Sequence, residues 1–234
     1  MIALPVAATA VSLAFGAHLL VRAGRRGSWA EATWGVAMLM FAAASAALAL
    51  GVADGWSAGE FHAYWLFGAV LNVPYLALGE LYLLVRPRAV VHALLVVTLL
   101  GTVWASAEVR SARVDETVLA GRDFFAGRQV LGEDSPAVAL ARLYSLPAYA
   151  VLVLGALWSA FRMRGDRRLR SRFYGTLLIA AGATVVAVGA IFARRGDFAG
   201  FSITLSAGVA VMYWGFLSAT RASSPGAPRG TARP

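Results

Sequence analysis

Apolar residues in this chain run in seven long blocks, Ile2–Val21, Ala32–Gly51, Phe61–Val85, Ala89–Ala107, Ala137–Phe161, Phe173–Ala193 and Phe198–Thr220, and the polar residues collect between them. Each block is close to the roughly 20 apolar residues that a helix needs to cross the hydrocarbon core of a bilayer. The pattern predicts an all-α polytopic membrane protein: a seven-transmembrane helix bundle over residues 1–221, with one long outer loop at 108–136. The tail, 222–234, is short and rich in Pro, Gly and Ser, which predicts a disordered cytoplasmic segment. No positive charge precedes the first block and its apolar core exceeds a signal h-region, so it is expected to be a span and not a cleavable signal peptide.

The arginines between the blocks orient the bundle. Arg22, Arg25, Arg26, Arg86, Arg88, six more between Arg162 and Arg172, and Arg221, Arg229 and Arg233 share one side, 14 in all. The other side holds six: Arg110, Arg113, Arg122, Arg128, Arg194 and Arg195. Positive charge resists translocation, so the N-terminus is expected outside and the C-terminus inside, in the inner (plasma) membrane. The net charge of +9 then reads as an arginine-rich face beside anionic headgroups. Membrane lipids are the expected partners, with a cytoplasmic protein partner at the Arg162–Arg172 loop, and no nucleic acid.

Composition narrows the chemistry. With 59% hydrophobic and 14% charged residues, and a mean hydropathy of +0.69, the chain lies outside the soluble globular range. Cysteine is absent, which excludes disulfides, thiolate metal sites and cysteine nucleophiles. Lysine is absent too: all 21 basic residues are arginine. Seven helices suggest a retinal protein, but a Schiff base needs a lysine amine, and pyridoxal phosphate held on lysine fails for the same reason. No HExxH, GxSxG, Walker loop or paired carboxylates within one block occurs, so no enzymatic activity and no cofactor are expected.

The third block carries the densest polar pattern. Phe61, Trp65, Gly68, Asn72, Tyr75, Gly79 and Tyr82 are spaced 4, 3, 4, 3, 4, 3, which predicts one helical face with small and aromatic residues alternating in a packing seam. Asn72 is at mid-span on that face, where it acts either as interhelical glue or as the wall of a small polar cavity beside a kink at Pro74. Glu80 lies five residues from the block's end, roughly 7 Å at 1.5 Å per residue. An intramembrane carboxylate is costly unless paired, protonated or hydrated. His92, His18 and Glu31 fall at a similar depth on neighbouring blocks. Two readings stand: a proton-titrating or cation-binding cluster, or snorkelling to the interface. A haem held by His18 and His92 is a further alternative without a motif behind it.

The later blocks add fewer signals. Arg142, Tyr144, Pro147 and Tyr149 stand near the outer end of the fifth block. Arg142 is either an anionic-ligand contact, sharing an outward pocket with Asn72, Ser202, Thr204 and Ser206, or an interfacial anchor. Gly175, Gly182 and Gly189 recur every seven residues in the sixth block, a stripe suited to close packing. The loop 108–136 has four arginines, six acids and enough apolar side chains to cap the bundle or lie on the membrane, with a short amphipathic helix near Ser111–Ala120. A solvated connector is the other reading.

Trp34 through Gly51 followed by YWLFGAVLNVPYLALGELYLL resembles the corresponding helices of the seven-transmembrane sensor modules that precede some bacterial histidine kinases. NVPYLALGELYLL, GRQVLG and GALWSA together resemble a group of uncharacterised bacterial seven-helix integral membrane proteins. The first resemblance implies a sensor; the chain as read carries no kinase domain after the seventh block, so output is expected through a separate partner. The second implies no activity and defines no site residues. The expected function is a non-enzymatic sensor or binding module for a small or lipidic ligand, with Asn72, Tyr75, Glu80, His92, His18 and Arg142 as candidate ligand contacts. A proton-coupled transporter or permease, and a haem-binding redox protein, are the alternatives.

Overall fold

A computed structural model describes residues 2–120, 127–163 and 170–221. The expected disordered tail and the centre of the arginine loop, 164–169, lie outside the described residues. Among the described residues the chain is helical, without strands. Seven helices are long and apolar enough to cross a membrane, which supports a multi-pass membrane protein. They are α1 (Ala3–Arg26), α2 (Trp29–Asp54), a composite third span (Ala58–Leu84), α5 (Arg88–Ser111), and segments of α8 (Pro136–Met163), α9 (Arg170–Arg194) and α10 (Phe198–Arg221). The third span joins α3 (Ala58–Tyr64), a π-helical stretch (Trp65–Leu71) and α4 (Asn72–Leu84). Two short helices, α6 (Glu116–Ala120) and α7 (Gly127–Leu131), lie in the long loop.

Several helices outrun the apolar blocks, because hydropathy marks only the hydrocarbon layer while capping sets the ends. The helix α1 continues through Arg22 and Arg25 to a left-handed Gly27 (φ 63°), and Ser28 Oγ then accepts the Glu31 N–H at 3.3 Å to start α2. Ser57 and Glu60 form a reciprocal capping box at α3, with bonds of 3.2 and 2.8 Å. The π-helical stretch ends three residues before Pro74. Proline offers no N–H to the Val70 carbonyl, and the ladder upstream widens accordingly. From α8, Ser145 Oγ donates to the Ala69 carbonyl at 2.5 Å, satisfying a backbone group inside this irregular turn.

Six spans close into a ring. Each of α1, α2, the third span, α8, α9 and α10 packs on the next, and α10 returns to α1. The fourth span, α5, stands outside this ring against the third span and α8. Its outward face, with Val97, Leu100, Val103 and Trp104, is exposed, as a lipid-facing surface is. One core cluster threads the ring through Phe15, Met38, Phe41, Leu76, Leu152, Val209 and Met212.

The closest approach is between α9 and α10. A Cβ on Gly182 would meet the Gly208 carbonyl at 2.6 Å, one on Gly208 would meet the Gly182 carbonyl at 2.7 Å, and one on Gly215 would meet the Gly175 carbonyl at 2.7 Å. The expected glycine stripe of the sixth block thus has a matching stripe on the seventh, and the two backbones touch where neither has a side chain.

The long loop is folded back over one end of the bundle. Leu119, Val130 and Leu131 join Phe61, Leu66, Val70, Leu71, Ala105 and Val109 in a second core cluster. Trp65 Nε1 donates to the Ala137 carbonyl at 3.1 Å, and the imidazole Nε2 of His62 donates to the Ala112 carbonyl at 3.2 Å. Of the two readings left open, a bundle cap is what the described residues form. The expected helix near Ser111–Ala120 is shorter, Glu116–Ala120, because Asp115 starts it: Oδ1 accepts from the Thr117 hydroxyl (2.5 Å) and the Thr117 and Val118 amides (3.0 and 3.3 Å). The Thr117 hydroxyl first, then these amides, hold the Asp115 carboxyl below the usual carboxylate range. The contribution of Asp115 to the start of α6 is therefore present above that range and lost as pH falls through the depressed value.

Gly208→Val is expected to lower the thermal midpoint of the purified protein by the equivalent of about 2 kcal/mol or more, since backbone atoms of Gly182 and Val186 stand in the way together with the short, stiff Val186 side chain. Gly24→Ala, where a Cβ meets nothing within 4 Å, is expected to leave the midpoint unchanged or raise it. Thermal unfolding in detergent followed by circular dichroism distinguishes the two; a fully stable Gly208→Val protein contradicts the α9–α10 contact.

Candidate functional site

Asn72 opens α4, directly after the π-helical stretch, and is 5% exposed. Its Nδ2 donates to the Ala37 carbonyl of α2 at 2.7 Å. The same antiparallel seam continues on both sides. A Cβ on Gly68 would stand 3.2 Å from Ala44, Trp34 Nε1 donates to the Leu76 carbonyl at 2.9 Å, and the Trp29 and Tyr82 rings stack at 6.2 Å. Gly79 is what admits the indole: a Cβ there would lie 2.2 Å from Trp34 Nε1.

The seven-residue stripe does not hold as one face. Gly68, Asn72, Gly79 and Tyr82 meet α2, but Trp65 turns to α8, and Tyr75 turns to α5. The widened turn at Trp65–Leu71 takes Trp65 off the face of the residues that follow, whereas Tyr75 departs inside the regular helix α4, from the flank of the face that Asn72 and Gly79 present to α2. Tyr75 is buried, and its hydroxyl lies 3.1 Å from Thr102 Oγ1. Thr102 already donates to the Thr98 carbonyl, so the tyrosine hydroxyl is the donor of that pair.

A cavity of about 70 Å³ lies at mid-bundle, lined by Met38 and Phe41 of α2, Asn72, Val73 and Leu76 of α4, and side chains of α8, α9 and α10. Its wall is almost wholly apolar. The Tyr149 hydroxyl on its rim is spent on Thr184 Oγ1 at 3.2 Å, and Thr184 donates to the Ala180 carbonyl. Asn72 is the buried polar side chain of the lining. Ala187 of α9 is the exposed residue of the lining.

Glu80 is also buried, 5% exposed, but faces a different neighbour. Its carboxylate lies against α8, with Oε1 3.4 Å from Ser159 Oγ, and a Cβ on Gly155 would stand 2.7 Å from Glu80 Cγ. Gly155 thus makes room for the acid. His92 is elsewhere: its ring stands edge-on to Trp29 and Tyr82 at 5.3 and 5.5 Å, and Nδ1 bonds the Arg88 carbonyl at 2.8 Å. Arg88 in turn donates to the Tyr82 carbonyl and lies over the Tyr82 ring. His18 packs edge-on against Tyr213 and Phe216 of α10, and Glu31 pairs with Arg22 at 3.0 Å. The four groups expected to converge therefore each have separate partners. The two imidazoles lie in separate aromatic settings, and among the described residues no three His, Asp or Glu side chains are grouped as metal ligands.

The residues expected around an outward pocket have these settings. Arg142 is exposed on α8 and does not line the cavity. Thr204 bonds back to the Gly200 carbonyl at 2.8 Å, Ser206 donates to the Leu4 carbonyl at 2.9 Å, and Ser202 is fully buried. Residues that the sequence did not single out complete the picture: Trp34, Gly155 and Ser159 as partners of α4, and Met38, Leu152 and Met212 as cavity wall. Trp34 and Ser159 each carried a signal of their own, a hydrogen-bond donor inside an apolar block. No family model, curated protein or solved structure matches the chain.

Trp34→Phe keeps the ring contact and removes one donor, an expected loss of about 0.6–1.7 kcal/mol in unfolding from bilayer-like micelles. Gly79→Leu, which also forces the indole away, is expected to cost more than Trp34→Phe. Equal stability of both variants and the parent protein contradicts the α2–α4 seam.

Proposed function

We propose that the chain is a non-enzymatic binding or sensing module for a small or lipidic ligand, set in the inner membrane with its N-terminus outside and C-terminus inside. The observation that carries this reading is the almost wholly apolar cavity walled by five helices of the ring, with Ala187 the exposed residue of its lining. A ligand seated there touches α2, α4, α8, α9 and α10 at once, so its presence biases how these helices pack on one another. That is the differential contact a sensor needs. The π-helical stretch and Pro74 lie in the wall's third span, where the backbone ladder is already irregular. The orientation rests on the arginine asymmetry. The likeness to sensor modules ahead of histidine kinases supports the same reading, with the Arg162–Arg172 loop as the surface for a cytoplasmic partner.

One observation favours a second reading, a proton-coupled transporter. Glu80 is a buried carboxylate within a span, and such groups mark proton or ion paths. It faces Ser159 at the α4–α8 contact and not the cavity, so we place it second.

Native mass spectrometry of the protein released from its own membrane tests the binding reading. A retained small or lipidic molecule is expected, and Leu152→Trp, which fills the cavity from a buried wall position, is expected to abolish its retention while the helical signal persists. Absence of any bound molecule counts against it. Proton-coupled uptake into proteoliposomes that Glu80→Gln abolishes decides for transport instead.

A further inference from the structure

The cavity wall specifies more than apolarity. The amide of Asn72 is fixed in one orientation by its neighbour: the Ala37 carbonyl only accepts, so the atom 2.7 Å from it is Nδ2, the donor. The trigonal amide then turns Oδ1 away from α2. Among the described residues no group donates to Oδ1, yet Asn72 is 95% buried (5% exposed) and lines the cavity. An acceptor without a donor in a low-dielectric interior costs free energy that a ligand can recover. The hydroxyl on the rim, that of Tyr149, already donates its proton to Thr184 Oγ1.

Resting on the binding reading above, we propose that the cavity takes the end of a hydrocarbon chain that carries a neutral alcohol, its O–H donated to Asn72 Oδ1. A carboxylate or ether offers an acceptor to an acceptor, and a charged amine at mid-span carries the cost of an unpaired ion in hydrocarbon. Size agrees with a chain end. At about 70 Å³ the cavity is smaller than the ~150 Å³ apolar cavity that holds benzene, so it holds only the hydroxyl end, between Met38, Phe41, Leu76 and Met212. The rest of the chain leaves past Ala187, the exposed residue of the lining, into the lipid beside α8 and α9.

The test uses the full chain in lipid nanodiscs and a long-chain primary alcohol bearing a diazirine near its hydroxyl end, with the same chain ending in methyl as its partner probe. After irradiation, labelled positions are mapped by mass spectrometry. The alcohol is expected to label the cavity segments of α8, α9 and α10 about fivefold more than the methyl chain, the range of one hydrogen bond. An unlabelled alcohol suppresses that signal and its methyl ether does not, a comparison made wholly in the parent protein. Asn72→Leu removes the preference, and Ala187→Phe, at an exposed site that tolerates bulk, lowers labelling by both probes. Equal labelling of the lining by the two probes, or equal competition by the ether, overturns the alcohol assignment while leaving the cavity as a ligand site. Labelling confined to the outer helix faces overturns both.

Discussion

Hydrocarbon supplies no hydrogen bonds, so each polar group in a span must find its partner inside the protein. Much of the described bundle follows from this. Backbone groups are absorbed by helices, and where Pro74 removes a donor the ladder widens and Ser145 reaches in from α8. Hydroxyls fold back one turn, as Thr98, Thr102, Ser106, Thr184 and Thr204 do. Others reach a carbonyl on another helix, as Tyr144 reaches Gly101 and Ser206 reaches Leu4, while the buried hydroxyls of Ser12, Tyr82 and Ser202 have no partner among the described residues. Polar side chains are thereby converted into specific pairings between spans.

Apolar burial cannot do that work in lipid, because a leucine gains little by leaving one hydrocarbon for another. Proximity has to come from small residues and dispersion. Gly182, Gly208 and Gly215 bring α9 and α10 to backbone contact, Gly79 seats the Trp34 indole over the Leu76 carbonyl, and Gly155 seats Glu80. The ring closed by these contacts leaves a cavity of about 70 Å³ between five of its helices. Function enters at that gap, where Asn72 donates through Nδ2 to the Ala37 carbonyl and, among the described residues, no group donates to its Oδ1.

The spans were legible because length and hydropathy are local properties, and each of the seven blocks holds a membrane-length helix. The glycine stripe of the sixth block was legible as half of a contact. Its other half, Gly208 and Gly215, follows only once α9 and α10 are known to pack. What failed did so for a geometrical reason. A single face for Phe61 to Tyr82 assumes a constant twist, and the π-helical stretch changes it. The shared depth of His18, Glu31, Glu80 and His92 said nothing about azimuth, and two residues of separation between Glu80 and Tyr82 are enough to aim one at α8 and the other at α2 and α5. Asn72 was placed rightly as inward and as glue, through Nδ2 to Ala37, but the cavity it lines is almost wholly apolar and not the small polar one expected.

The most direct measurement is a density map of the protein in a lipid nanodisc, resolved well enough to trace side chains at mid-membrane. The account predicts six spans in the ring order α1, α2, α4, α8, α9, α10, with elongated density entering beside Ala187 and ending at Asn72 Oδ1. A different helix order, or Asn72 with both amide atoms bonded to protein and the centre closed by side chains, contradicts it.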